Sequence, residues 1–188
     1  MAAPLIFRKQ DYREGRWRNG MGVSWDIASD PAAGADFGWR LATARIDGDV
    51  PFSSYPMVDR VFTLIEGDGL DLAVAGLGTI AVETCFVPQR FPGDAHTFCT
   101  LRGGPCRALN LFLARGRWTA DVTVHRVGGA VALSHHGPTL LFALQGRVTI
   151  GAEDLNEGDA ARLASPATAA SSSSALLYVA ALSARRVI

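Results

Sequence analysis

Short apolar runs set between glycines recur along the chain, and they carry a strand signature. Val61-Phe62-Thr63-Leu64-Ile65, Arg147-Val148-Thr149-Ile150 and Leu176-Leu177-Tyr178-Val179 are rich in β-branched and aromatic residues at strand length. Ala120-Asp121-Val122-Thr123-Val124-His125 adds partial alternation of polar and apolar positions. No long stretch sustains a helical period, and 20 Gly and 9 Pro supply turns often enough to divide the chain into many strands. The segment from Ala160 to Ala175 is rich in Ala and Ser, with the run Ser171–Ser174, and is predicted to be an exposed loop between two late strands. The pattern predicts an all-β protein.

One element occurs twice. Thr63-Leu64-Ile65-Glu66-Gly67-Asp68-Gly69-Leu70-Asp71-Leu72 runs strand, glycine turn, strand. Phe142-Ala143-Leu144-Gln145-Gly146-Arg147-Val148-Thr149-Ile150 does the same, with Ile65-Glu66-Gly67 matching Leu144-Gln145-Gly146. A second turn follows each copy: Pro92-Gly93-Asp94-Ala95 and Glu157-Gly158-Asp159-Ala160. The Asp supplies a side-chain acceptor for turn amides. This order of elements resembles the cupin family of small jelly-roll barrels. Two copies imply a bicupin, with residues 1–115 forming one barrel and 116–188 a degenerate second, divided near Arg115-Gly116-Arg117.

Composition then removes function classes. Of 188 residues 18 are basic and 18 acidic, so the formal net charge is zero and no nucleic-acid partner is expected. The longest basic cluster, Arg185-Arg186, is too short to hold an anionic membrane. At 48% hydrophobic and 19% charged residues the chain reads as globular. The start, Met1-Ala2-Ala3-Pro4-Leu5-Ile6-Phe7-Arg8, lacks the basic-then-apolar layout of a secretory signal, and no run approaches the ~20 apolar residues of a membrane span. Cys85, Cys99 and Cys106 show no C-x-x-C spacing and read as free, small buried thiols of a cytoplasmic protein.

Metal chemistry finds no support. Many cupins place two histidines two residues apart, because alternate residues of a strand point into the same barrel. His135 and His136 are adjacent and would face opposite ways, no histidine precedes the first glycine turn, and His96 and His125 stand alone. No metal or other cofactor is expected. Gly20-Met21-Gly22 and Gly67-Asp68-Gly69 precede no helix that could cradle a phosphate, and no Gly-x-Ser-x-Gly elbow occurs. No residue is assigned a catalytic role.

The N-terminal half carries a more specific resemblance. Trp17-Arg18-Asn19-Gly20-Met21-Gly22-Val23-Ser24 resembles the W-x-N-G-x-G-x-T signature of the HutD/Ves family, with Ser24 for Thr. Trp39-Arg40-Leu41-Ala42-Thr43-Ala44 and Pro51-Phe52-Ser53-Ser54-Tyr55-Pro56-Met57-Val58-Asp59-Arg60 are similar to two further family segments, the second with Met57 for the usual glycine. Leu109-Asn110-Leu111 resembles the D-[FL]-N-[LV] element, with Ala108 where Asp is usual. The resemblance implies a metal-free bicupin that accompanies histidine utilisation and senses or limits an intermediate such as a formylated amino acid; the Ves branch implies a stress-response role.

Within the shared positions, Arg60 heads an apolar strand that should line the first barrel, where a lone guanidinium is costly. It either pairs with Asp59 or Asp94 or grips a ligand carboxylate through its planar fork. Arg40 reads likewise. Asn19 is either a turn-ordering residue or a hydrogen-bonder in the cavity. Trp17 and Phe52 are candidate walls, although Trp17, Trp25, Trp39 and Phe52 all suit a core. The expected ligand-binding set is therefore Arg60, Arg40, Asn19, Trp17 and Phe52, and the expected partner a small carboxylated metabolite. A metal-free isomerase or epimerase is the enzymatic alternative, with His96 and Asp94 its neighbouring acid–base candidates. An interaction module forming a homodimer through barrel faces is the third.

Overall fold

The computed structural model describes residues 3–31, 36–135 and 137–185; His136 and Arg186, named above, lie outside them. The regular elements run β1 (Leu5–Phe7), a 3-10 turn (Lys9–Asp11), β2 (Arg13–Arg16), β3 (Val23–Asp30), β4 (Trp39–Ile46), β5 (Val50–Pro51) and β6 (Val58–Glu66). There follow β7 (Leu70–Val74), β8 (Gly78–Val82), β9 (Gln89–Pro92), β10 (Thr97–Leu101) and β11 (Cys106–Ala114). The chain closes with β12 (Trp118–Leu133), β13 (Thr139–Gln145), β14 (Val148–Ile150), β15 (Glu153–Leu155), β16 (Ala160–Leu163) and β17 (Ala167–Ala184). The protein is all-β, and among the described residues no helix is long and apolar enough to cross a membrane.

The chain divides into two compact units. Residues Arg13–Arg117 form one, built from a six-stranded sheet in the order β2-β3-β4-β11-β6-β9 and a four-stranded sheet β5-β10-β7-β8. Alternation turns Phe62 and Leu64 of β6 and Ala108 of β11 inward, where they meet Leu70, Leu72 and Cys99 of the smaller sheet. The β6–β7 turn needs its glycine. Gly67 sits at φ +118°, and a Cβ there would stand 2.5 Å from the Cys106 sulfur.

Among the described residues the other unit holds 3–12 with the chain from Trp118 to Arg185. Its sheet runs β1-β16-β13-β17-β14-β15, with β12 also paired to β17. The core is aliphatic, drawn from residues such as Val127, Leu141, Val148, Leu155, Leu177 and Val179.

Two expectations need correction here. The Ala160–Ala175 segment is not a loop: β16 and β17 occupy most of it, and Ser171–Ser174 lie within β17. Strand pairing overrides weak propensity there, with Ser171 opposite Gly129 and its hydroxyl donating to the Arg147 carbonyl at 2.7 Å. The division at residue 115 also misplaces the start of the chain. Leu5–Phe7 pair with Ala160–Arg162, so the first strand completes the C-terminal unit.

Candidate functional site

The inner face of the six-stranded sheet carries the polar side chains. Cross-strand register sets Arg40, Phe112, Arg60 and Phe91 in one row over β4, β11, β6 and β9. The next row holds Ala42, Asn110 and Phe62. The segment after β5 faces them, held by backbone bonds from Phe52 N–H to the Thr97 carbonyl (2.8 Å) and from Tyr55 N–H to the Gly93 carbonyl (2.8 Å). Between them lies a narrow cavity lined chiefly by Arg40, Arg60, Asn110, Phe52, Tyr55 and Phe112, with Trp17 and Ser24 also reaching it. The space open to the centre of a water molecule is about 30 Å³, roughly two waters' worth.

Arg60 is the unusual group. It is 6% exposed, and its Nη2 donates to Asn110 Oδ1 at 2.7 Å. Its Nε–H is buried without a partner, and among the described residues it makes no ion pair. Three rings surround the guanidinium, those of Phe52, Phe91 and Phe112, with centroids 4.9, 5.0 and 5.1 Å from Cζ. Burial pushes its pKa down to about 10, the Arg40 charge adding to the effect and Tyr55 opposing it.

The ion pair expected for Arg60 goes elsewhere. Asp59 precedes Arg60 in β6 and so faces the opposite way, where it accepts from Arg115 Nε at 2.8 Å. Asp94 accepts from Nη1 and Nη2 of the same arginine, whose hydrogen bonds hold its carboxyl below the usual range. Asp94 is thus tied to a surface arginine, and neither it nor His96 is among the cavity residues.

Arg40 lines the cavity but is compensated. Nε donates to Asp26 Oδ1 at 2.8 Å, Nη2 bonds the same oxygen, and Nη1 reaches the Tyr55 hydroxyl at 3.4 Å. Burial opposes its charge, yet Asp26 and Tyr55 more than offset this and hold the pKa above the ordinary value. Trp17 and Phe52 both line the cavity and meet edge to face at 5.7 Å. The Trp17 ring is fixed by its Nε1–H donating to the Val23 carbonyl at 3.1 Å.

Asn19 corrects the expected set, because it is not among the cavity residues. Its Nδ2 donates to the Pro51 carbonyl at 2.8 Å and its Oδ1 accepts from Met21 N–H at 3.1 Å. It is a turn residue that fastens the Trp17 loop to the end of β5. Sequence reasoning missed Asn110, Tyr55 and Phe112. The signal for Asn110 was legible, since it is a lone amide in the apolar strand Cys106–Ala114 and two residues from Phe112.

Gly22 lets the Trp17 ring lie close. A Cβ at Gly22 would stand 2.5 Å from Trp17 Cε2. Gly22→Ala is expected to cost about 1–3 kcal/mol through overpacking, read as a lower urea midpoint with a shifted tryptophan emission. An unchanged midpoint and spectrum would mean that the ring moves aside freely.

A jelly-roll unit whose interior is lined by arginine, amide and aromatic side chains defines a β protein of the cupin type. The chain belongs to the HutD family, whose family model matches residues 9–178. It is 34% identical over 151 residues to an uncharacterized 21.2 kDa protein in the hutC 3' region of Pseudomonas putida, covering 80% of this chain and 78% of that one. Protein Ves of Citrobacter koseri is 38% identical over 109 residues, 57% of this chain, and the match spans 56% of Ves. The fold superposes on HutD from Pseudomonas fluorescens SBW25, in a formate condition, with TM-score 0.84 and 28% identity over 98% of this chain and 100% of that one.

Proposed function

We propose that the protein binds a small carboxylated metabolite in the cavity of the Arg13–Arg117 unit, and serves histidine utilisation in the cytoplasm as an accessory or regulatory binder rather than a catalyst. The observation that carries this reading is Arg60, a buried guanidinium whose polar partner is a neutral amide and whose Nε–H is unpartnered. A carboxylate is its natural complement, because the planar fork can donate two parallel N–H···O bonds. The space suits the head group of such a ligand, about the size of formate, which is the species named for the P. fluorescens HutD structure. A longer acid, a formylated amino acid included, needs the cavity to widen. The hutC-region relative supports the pathway, and the free Cys85, Cys99 and Cys106 suit a reducing compartment.

Thermal shift at constant ionic strength with formate, acetate and N-formyl amino acids tests the reading. A ligand at 100 times its dissociation constant adds ~2.7 kcal/mol, a rise of several degrees. Arg60→Lys keeps the charge but loses the fork, so affinity is expected to fall about tenfold or more. Failure of every carboxylate to raise the melting temperature, or full affinity in Arg60→Lys, would overturn it.

A further inference from the structure

Two guanidinium groups line the cavity, and they differ in what surrounds them. Arg40 and Arg60 sit on either side of Phe112 in the register row, their Cζ atoms 5.3 and 5.1 Å from its ring centroid. Sharing that ring keeps the like charges within about 10 Å of one another in a low-dielectric interior. No acidic side chain is among the described lining residues. Among the described residues the only carboxylate on either guanidinium is Asp26, which takes Nε and Nη2 of Arg40 on one oxygen. A β-bulge between Asp26 and Ala28 shifts the β3–β4 register at this point, bringing Asp26 opposite Ala42, two residues from Arg40. Arg13 also reaches Asp26, at 3.3 Å, but it is 74% exposed and screened by solvent. Arg18 stacks on Tyr55 with Cζ 5.0 Å from the ring centroid, and it too is exposed.

We infer that Asp26 determines which anions the cavity accepts: by neutralising Arg40 it leaves Arg60 as the one uncompensated charge among the described lining residues, so that the site selects monoanionic carboxylates over dianions such as sulfate. The inference rests on the carboxylate-binding reading of this same cavity. A monoanion brings the interior to neutrality. A dianion leaves one buried negative charge without a partner, which is strongly unfavourable. Removing the Asp26 charge would give the interior two positive charges and remove that penalty. Asp26 touches Arg40 rather than the cavity, so it acts as a positioning and charge-setting residue.

The test compares acetate, formate and sulfate by calorimetry, at constant ionic strength and pH 7.5, on the parent, Asp26→Asn and the double variant Asp26→Asn/Arg40→Gln. The parent is expected to bind the carboxylates and to respond to sulfate no more than to chloride. In Asp26→Asn the ratio of sulfate to acetate affinity should rise about tenfold, the effect of one added charge at roughly 10 Å in an effective dielectric near 20. The double variant restores the charge count and should return the ratio to that of the parent, a reversal that a merely structural role for Asp26 would not produce. Should Asp26→Asn not fold, Arg40→Gln alone leaves the Asp26 charge uncancelled, and acetate affinity should fall about tenfold. An unchanged ratio in Asp26→Asn, a raised ratio persisting in the double variant, or unchanged acetate affinity in Arg40→Gln overturns the role of Asp26 while carboxylate binding stands. Absence of carboxylate binding in the parent overturns the underlying reading itself.

Discussion

A variant carrying Arg60→Met with Asn110→Leu is expected to melt several degrees above the parent and to lose all stabilisation by carboxylates. Burial holds Arg60 at about 10, well below its ordinary value, and a depression of that size corresponds to ~3 kcal/mol between the charged and neutral forms. Between pH 10 and the ordinary arginine range the unfolded chain binds the proton more readily than the native protein, so stability rises with pH across that interval. Below pH 10 the penalty is fully present, neutral pH included. The three ring contacts offset part of it, but a methionine thioether also packs favourably against aromatic rings, so little is lost there. Replacing Asn110 as well avoids stranding the carbonyl that accepts from Arg60, and exchange of a buried polar pair for apolar residues of like volume commonly gains about 1–4 kcal/mol. Arg60→Ala alone should do the opposite, leaving a void among Phe52, Phe91 and Phe112 and an unpaired amide. Differential scanning calorimetry with and without acetate reads both effects. A double variant that melts well below the parent, or one that acetate still stabilises, would show that Arg60 is a structural group.

The contrast between Asp59 and Arg60 shows what could be read from residues and what could not. Adjacent in sequence, they invite an ion pair, but β6 turns them to opposite faces, and only the period of two, applied strictly, separates them. That period was hard to see because β11 is buried along nearly its whole length and β6 along most of its own, giving continuous apolar runs instead of alternation. Strands with β-branched cores such as Val61–Ile65 were legible, as was the glycine turn that each repeat copy carries at Gly67 and Gly146. The serines of β17 were not, since Ser171 is set by pairing with β12 and Ser172–Ser174 lie at the irregularity in that pairing, neither of which propensity announces. Arg60, Arg40, Trp17 and Phe52 line one cavity. Asn19 does not, because a short amide among glycines serves a turn equally well. Asp26 carried no signal at all. Its place beside Arg40 depends on a bulge and a strand register that no local pattern in the sequence announces.

The two Gly-Asp-Ala turns, alike in sequence, are expected to differ sharply on mutation. Asp94 is exposed, and its half-buried partner Arg115 keeps Asp59 when Asp94 is lost, so Asp94→Ala should change the melting temperature little. Asp159 is 5% exposed and gathers three donors: Lys9 N–H at 2.9 Å, Arg8 Nη1 at 3.0 Å and Asn156 N–H at 3.1 Å. Two of these come from the far end of the chain, next to the β1 strand that pairs with β16. The Tyr12 hydroxyl adds a bond to the Gly158 carbonyl at 2.6 Å in the same turn. Asp159→Ala leaves two part-buried backbone donors without their acceptor, whereas the Arg8 guanidinium keeps the Asp154 carbonyl and Glu153. At about 1 kcal/mol or more for each of the two part-buried donors, the loss should reach about 2 kcal/mol. The effect should also be local at first. With its anchor gone, β1 should leave the edge of β16, and limited proteolysis should cut between Leu5 and Tyr12 under conditions where the parent resists. Asp159→Asn keeps acceptor capacity for the backbone donors while removing the charge, so its cost should fall between those of the parent and the alanine variant. Equal melting temperatures for Asp94→Ala and Asp159→Ala would refute the distinction and mean that the N-terminal strand is held by its ladder alone.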